Sequence, residues 1–166
     1  MTFEHLIRSA RVDEIETVRE IERRSAQRFV GTDLAALADD EPTDAATLAL
    51  RIGAGGLLIC EGEGGEPVAF LMLRPVDGCG YVEQIDVLPS HERRGIGAAL
   101  LDRVGRDWPA LLLSTFREVP WNAPYYARLG FRPVEALTPA LLAIRAEHEA
   151  RGLDESRRLF MRRDRP

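Results

Sequence analysis

The chain has 166 residues, a length typical of one domain with a sizeable core, and its 45% hydrophobic and 30% charged residues are typical of a soluble globular protein. No apolar run is long enough to cross a bilayer, and the start Met1–Glu4 lacks the basic and apolar segments of a signal peptide, so we expect a cytoplasmic protein. The net charge of −5 argues against non-specific binding to nucleic acid or to an anionic membrane.

The basic residues are unusual because all 22 are arginine. Any contact with a phosphate must therefore come from guanidinium groups or backbone amides, and no lysine is present to act as a base or to form a Schiff base. The two cysteines, Cys60 and Cys79, and the three histidines have no spacing typical of a metal site or a disulfide framework. We therefore predict no metal cofactor.

The first half of the chain predicts one strand and two helices, followed by three strands. His5–Ala10 is the first predicted strand, and Asp13 is placed to begin a helix, with Glu16 in position for a capping box. Thr43 or Asp44 begins the second helix, which the glycine-containing segment 53–56 ends. The three predicted strands are Leu57–Glu61, Val68–Leu73 and Tyr81–Leu88. Glycine-containing turns at 63–66 and 77–80 join them, so we expect antiparallel hairpins.

The second half of the chain alternates helices and strands. Ile96, Leu100, Val104 and Trp108 recur four residues apart and mark the buried face of a helix that Pro109 ends. The remaining predicted elements are a strand at Leu111–Phe116, a short helix from Asn122 to Gly130, a strand near Phe131–Glu135, a helix at Pro139–Arg151 and a final strand at Arg157–Arg162. This order predicts a single α/β domain over residues 1–166, built on one mixed sheet.

A glycine-containing loop opens the central helix, with the sequence HERRGIGAALL at His91–Leu101. A nucleotide-hydrolase phosphate loop needs a lysine and is excluded. A dinucleotide-binding fingerprint needs Gly or Ala where Leu100 stands and a glycine directly after the strand, although Glu118 falls near the expected acidic position. The NAD(H)-dependent alternative stays open on these residues alone. The third alternative is a pyrophosphate held by the backbone amides of residues 93–98 at the helix start.

Two segments carry a resemblance to one family. Val87–Leu101 resembles the acetyl-CoA motif of the GCN5-related N-acetyltransferase (GNAT) superfamily. Trp121–Phe131 resembles the later motif of that family, in which a tyrosine precedes a Gly-Phe pair by four residues. Glu92 departs from the pattern, since the family usually has Gln or Arg there. The resemblance implies an acyl-CoA N-acyltransferase fold of mixed α/β class, with its central sheet splayed between strands 4 and 5.

The resemblance also implies an activity, namely acetyl-CoA-dependent transfer of an acetyl group to a primary amine by direct attack in a ternary complex. Tyr126 matches the family's tyrosine and is the expected general acid for the departing thiolate. The residues expected to bind acetyl-CoA are Ile85, Val87, Arg93, Arg94, Gly95, Ile96, Gly97, Ala98 and Asn122.

The base that removes the amine proton is less well defined by the sequence. Glu83 is the first candidate, because a period of two places it on the same face of its strand as Ile85 and Val87. Gln84 and Asp86 share the opposite face and are weaker candidates. The other candidates are Glu118 and Glu22 for binding a cationic amine, Ser114 or Thr115 for a water relay, and Cys79 for an acyl-carrying nucleophile in a ping-pong alternative.

The acceptor is left open by the sequence: a protein N-terminus, a lysine, a polyamine, an aminoglycoside or another small amine would each fit. A non-catalytic acyl-CoA-binding or sensing module on the same fold is the alternative of a different class. The helix at Pro139–Arg151 and the last strand are compatible with a homodimer.

Overall fold

A computed structural model describes residues 5–166, and the prediction made for Met1–Glu4 lies outside the described residues. The helices within this range are α1 (Ile15–Ser25), α2 (Ala45–Gly53), α3 (Ile96–Gly105), α4 (Ala123–Arg128) and α5 (Pro139–Ala150). The strands are β1 (Ile7–Ser9), β2 (Leu57–Glu61), β3 (Pro67–Val76), β4 (Cys79–Val87), β5 (Ala110–Phe116), β6 (Arg132–Pro133) and β7 (Arg158–Asp164).

The strands form one seven-stranded sheet in the order β1-β2-β3-β4-β5-β7-β6. β1 and β2 pair antiparallel, as do β2 and β3. β4 pairs in parallel with β5 over Gly80–Val82 and Leu111–Leu113, and β7 pairs antiparallel with both β5 and β6. The sheet is therefore mixed, and the predicted α/β class is confirmed.

The turn between β3 and β4 explains one predicted hairpin. Asp77 and Gly78 are the two linking residues and have φ values of 53° and 73°. Two successive residues with positive φ make a type I′ turn, whose twist matches that of antiparallel strands. The Asp77 carboxylate also accepts a hydrogen bond from the hydroxyl of Thr138, the residue that begins α5 (2.6 Å).

The chain divides into two compact units, one made of the chain up to Leu73 together with Gln84–Arg103, the other of Arg74–Glu83 with Val104–Pro166. In the first unit, α1 and α2 pack their apolar faces on β2 and β3. Asp44 begins α2 as predicted, because its carboxylate accepts a hydrogen bond from the Thr47 amide (2.8 Å). The core residues of this unit are Ala10, Val18, Ile21, Leu48, Leu57, Ile59, Phe70 and Met72.

The start of α1 differs from the prediction. A 3-10 turn at Val12–Glu14 precedes the helix, and the reciprocal capping contact joins Arg11 and Glu14 instead of Asp13 and Glu16. Glu14 is buried and accepts two hydrogen bonds from the Arg8 guanidinium, at 2.6 and 3.0 Å. Glu14 therefore combines the capping contact with Arg11 and the hydrogen bonds from Arg8 on β1, and the second of these is not part of a capping pattern.

In the second unit, α5 packs on β4, β5 and β7. Gly80 lies under Trp108, so closely that a Cβ at this position would come within 2.9 Å of the indole ring. The core residues of this unit are Val76, Cys79, Tyr81, Ala110, Leu112, Leu141, Ile144 and Phe160. Among the helices of residues 5–166, none has the length and apolar character needed to span a membrane.

Candidate functional site

The loop between β4 and α3 has the backbone conformation expected of an anion-binding turn. After a 3-10 turn at Pro89–His91, Arg93 has a φ of 61° and Gly95 a φ of 77°. Positive φ is uncommon for a residue with a side chain, and turns of this kind bring successive N–H groups to one concave side. The predicted importance of Gly95 therefore has a direct conformational reason.

The start of α3 supplies further donors beside this turn. The Ala99 amide donates to the Gly95 carbonyl (3.0 Å), which makes Gly95 the residue that precedes the first helical turn. The amides of Ile96, Gly97 and Ala98 then have no acceptor inside the helix, and the positive end of the helix dipole lies there. The structure thus brings the predicted cofactor residues 93–98 together on one loop and helix start, with Arg93 and Arg94 exposed.

His5, from a distant part of the sequence, contacts the backbone of this loop. Its Nε2 lies 3.1 Å from the Arg94 carbonyl oxygen, and because a carbonyl only accepts, Nε2 must carry the proton. The same nitrogen lies 4.0 Å from the position that a Cβ on Gly95 would take. No local pattern could have identified this contact, because 89 residues separate the two partners.

The end of β4 in the first unit carries a buried polar cluster. Asp86 accepts hydrogen bonds from the Ser25 hydroxyl (2.9 Å), the Arg28 guanidinium (3.1 Å) and the Gln84 side-chain amide (2.6 Å). Gln84 and Asp86 therefore do share a face of the strand, as expected. Burial raises the pKa of Asp86 above its ordinary value, against the opposing effect of Arg28.

The proposed base Glu83 belongs to the second unit and is partly enclosed, with 17% of its side chain exposed. Its carboxylate lies 3.5 Å from Nε of Arg74, whose Nη2 lies 3.5 Å from Glu147 on α5. Arg74 also stacks over Tyr81, at 5.9 Å from the ring centroid. The arginine partner of Glu83 was missed by the sequence reasoning, although it lies on the adjacent strand of a predicted hairpin.

Tyr126 is held in α4 by the same residues that define the second motif. Beyond α4, the Gly130 amide donates to the Ala127 carbonyl (3.1 Å) and the Phe131 amide to the Tyr126 carbonyl (3.0 Å), and Gly130 has a φ of 93°. This is a Schellman motif, in which a glycine ends the helix and the next residue packs back on it. The Phe131 ring accordingly lies edge-on to Tyr126, at 5.8 Å between centroids, and Tyr126 is buried.

Asn122 precedes α4 as predicted, but its side chain does not cap the helix. Its Oδ1 accepts a hydrogen bond from the Thr115 hydroxyl on β5 (2.6 Å). Its Nδ2 is buried and has no hydrogen-bond partner among residues 5–166. A buried donor without an acceptor is costly, so this amide is suited to a carbonyl oxygen of a bound molecule.

The weaker acceptor candidates lie in separate surroundings. Ser114 on β5 accepts a hydrogen bond from Arg158 of β7 through its hydroxyl (3.2 Å). Glu22 on α1 accepts from the amide and hydroxyl of Thr43 (3.0 and 3.2 Å), which ties α1 to the segment before α2. Glu118 is exposed after β5. Within residues 5–166, three or more His, Cys, Asp or Glu side chains nowhere converge as a metal site would require.

The comparison with protein families gives one match over most of the chain. The model of the acetyltransferase (GNAT) family matches residues 15–131, a range that includes both sequence motifs and every candidate residue named above for cofactor binding and catalysis.

Solved structures agree with this match at the level of the fold. The PaiA N-acetyltransferase of Thermoplasma acidophilum, in complex with coenzyme A, is 13% identical, with 98% of this chain and 99% of that chain covered and a TM-score of 0.68. A GNAT-family acetyltransferase of Staphylococcus aureus Mu50 is 17% identical, with 98% and 100% covered and a TM-score of 0.72. The ribosomal-protein-S18-alanine N-acetyltransferase of Escherichia coli is 18% identical, with 98% and 94% covered and a TM-score of 0.64.

Proposed function

Because this chain belongs to the GNAT family of acetyltransferases, we propose that it transfers the acetyl group of acetyl-CoA directly to a primary amine. The observation that carries the proposal is the loop at Arg93–Ala98, which combines positive φ at Arg93 and Gly95 with the open amides of a helix start. Such an arrangement is suited to a pyrophosphate, which is one of the two anionic groups of coenzyme A.

Several groups of this chain fit the cosubstrate chemically. The amides of Ile96–Ala98 would bind the pyrophosphate, and the exposed guanidinium groups of Arg93 and Arg94 would meet further phosphate oxygens. The unpartnered amide of Asn122 matches the need for a donor to an amide carbonyl of the pantetheine arm. Ile85 and Val87 are half-buried on β4, the strand that leads into the loop, and we assign them to the same arm.

The proposed reaction needs two proton transfers. The amine nitrogen attacks the thioester carbonyl carbon, so a C–N bond forms, the C–S bond breaks and the electron pair leaves on sulfur. Glu83, directly or through a water held by Ser114, takes the proton that the amine loses, and Glu118 is the alternative base. Tyr126 gives its phenolic proton to the thiolate. Both groups are partly or fully enclosed, which limits competition by bulk water.

The function is tested by release of free thiol from acetyl-CoA in the presence of a panel of primary amines. We expect thiol release that depends on an amine, and Tyr126→Phe should lower kcat by about 10²-fold with little change in acetyl-CoA affinity, the size expected for loss of a general acid. Tyr125→Phe is the matched control, since Tyr125 is the adjacent, half-buried tyrosine and should keep the wild-type kcat.

Two results would count against the proposal. Acetyl-CoA binding without thiol release for any amine would indicate a non-catalytic binding module. Equal kcat values for wild type and Tyr126→Phe would remove the tyrosine from the acid role while leaving the transferase activity intact.

A further inference from the structure

Three charged side chains of the second unit are linked from α5 to β4. Oε2 of Glu83 on β4 lies 3.5 Å from Nε of Arg74 on β3, and Nη2 of the same guanidinium lies 3.5 Å from Oε2 of Glu147 on α5. The exposed fraction of the side chain falls from 62% at Glu147 to 32% at Arg74 and 17% at Glu83. One arginine is therefore shared by an exposed carboxylate and by the enclosed carboxylate that is the proposed base.

The guanidinium of Arg74 is supported by an aromatic ring. Its Cζ lies 5.9 Å from the ring centroid of Tyr81, within the distance of a cation–π contact. Tyr81 is buried and packs against Phe160, at 6.5 Å between ring centroids. Arg74 therefore rests on the core of this unit, while its charged group contacts two carboxylates.

The position of the guanidinium is a compromise between these carboxylates. Both of its charge contacts are longer than a charge-assisted hydrogen bond, which is about 2.7–2.9 Å. Nε of Arg74 is buried and has no hydrogen-bond partner among residues 5–166. A buried donor without an acceptor is costly, so a closer approach of Nε to Glu83 would be favourable. The attraction of Nη2 to Glu147 opposes that approach.

Two of the titratable groups packed around the Arg74–Glu83 pair stay neutral at physiological pH. Burial raises the pKa of Tyr81 above its ordinary value, against the effect of Arg158 and Arg74, so its phenol keeps its proton. Burial also lowers the pKa of His148 to about 4, so its imidazole is uncharged. The other charged side chains whose electrostatic effects reach this part of the unit are Glu147, Arg151, Glu155 and Arg158.

The charge of Arg74 has a direct consequence for a base. A positive charge beside a carboxylate favours its ionised form, and only an ionised carboxylate can take the proton that the amine loses. Glu147 affects this balance through Arg74, because the two carboxylates attract the same guanidinium.

Resting on the proposed acetyl transfer with Glu83 as its base, we propose that Arg74 is a positioning residue that keeps Glu83 ionised, and that Glu147 of α5 weakens this effect by attracting the same guanidinium. The two neighbours of the base therefore act in opposite directions. Replacing each of them should change the pH dependence of the reaction with opposite sign.

The test is the pH dependence of kcat/KM for the amine that gives the most thiol release, measured at saturating acetyl-CoA. The measured quantity is the acid midpoint, the pH below the optimum at which kcat/KM is half of its maximum. Arg74→Met should raise the acid midpoint by at least about half a pH unit, because Glu83 loses the charge that favours its ionised form. Glu147→Gln should lower it, because Arg74 then has one carboxylate fewer to attract it. The titration of the amine itself is the same for every variant.

Arg145→Met and Glu149→Gln are the matched controls. Arg145 and Glu149 are exposed on α5 and contact each other at 3.3 Å, so each variant removes the same charge as its counterpart while leaving the three linked side chains in place. Both should keep the wild-type acid midpoint. Arg74→Lys restores a positive charge and should return the acid midpoint toward the wild-type value, which a role of Arg74 in packing alone would not produce.

The outcomes separate this inference from the proposed function. If Arg74→Met fails to fold, Glu147→Gln carries the test, because Glu147 is an exposed residue. An unchanged acid midpoint in the folded variants would overturn the inference while leaving acetyl transfer in place, and midpoints that move in the same direction would overturn the role of Glu147. Wild-type activity of Glu83→Gln would remove the base and the inference with it. Absence of thiol release with every amine would overturn the proposed acetyl transfer itself.

Discussion

At the scale of single residues, the spacing of residues in the sequence predicted contacts within one segment but not contacts between segments that are far apart in the sequence. Tyr126 was predicted from the resemblance of Trp121–Phe131 to a family motif, and its four-residue distance to Gly130 matches the backbone hydrogen bonds of a Schellman motif. Arg28 and His5 were not identified, because their contacts with Asp86 and Arg94 join segments far apart in the sequence. Such contacts depend on how helices and strands pack, which no local pattern records.

The contact between Arg8 and Glu14 predicts that the folded protein loses stability in acid. Hydrogen bonds from Arg8 lower the pKa of Glu14 from its ordinary 4.5 to about 2 in the folded chain. Because the folded pKa is the lower one, the stabilisation is present above pH 4.5 and is lost as pH falls from about 4.5 to about 2. We expect the free energy of unfolding, measured by urea denaturation, to fall more steeply over this range in the wild type than in Glu14→Gln.

The control for this pH dependence is Glu16→Gln on the same helix. Glu16 is 75% exposed, and its two carboxylate oxygens accept hydrogen bonds from Nη1 of Arg19 at 3.3 and 3.4 Å on the surface, so its replacement should leave the wild-type pH dependence in place. Parallel curves for wild type and Glu14→Gln would show that the Arg8–Glu14 contact does not contribute to stability.

At the scale of elements, hydrophobic periodicity and turn residues located nearly every helix and strand. β2 and the start of α5 match the predicted bounds. α3 begins at Ile96 but ends at Gly105, so Trp108 and Pro109, which were predicted to complete and end this helix, lie beyond it. The 3-10 turn before α1 and the position of β7 between β5 and β6 were not predicted. Strand order depends on which edges remain available for pairing after the helices pack, so the linear order of strands does not determine it.

The conformation of Gly95 in the loop before α3 predicts that acetyl-CoA binding depends on a glycine at this position. Gly95→Val should weaken acetyl-CoA binding at least about tenfold, because a side chain at a φ of 77° strains the turn that directs several amides to the pyrophosphate. Isothermal titration calorimetry measures the change in Kd.

Gly65→Val is the matched control for this loop variant. Gly65 has a φ of 84° in the turn between β2 and β3, and a Cβ there meets no atom within 4 Å. Both variants should lower the unfolding midpoint, but only Gly95→Val should change the Kd of acetyl-CoA. Equal Kd values for the two variants would show that the loop does not bind the pyrophosphate.

At the scale of the whole molecule, two short motifs identified the family that the match over residues 15–131 confirms. The mixed sheet is shared with acetyltransferase structures that are only 13–18% identical to this chain, so the fold is retained while most side chains differ. The acceptor could not be predicted from the sequence, because its recognition depends on side chains from distant segments that only tertiary packing brings together.

Direct transfer of an acetyl group from acetyl-CoA to an amine is best tested by mass spectrometry of a reaction that contains the panel of primary amines. We expect one acetylated amine for each thiol released, and an intact protein mass that stays unmodified when acetyl-CoA is present without an amine. Acetylation of the protein at Cys79, followed by transfer to an added amine, would contradict direct attack. Thiol release without an acetylated amine, or no release at all, would contradict the transferase activity.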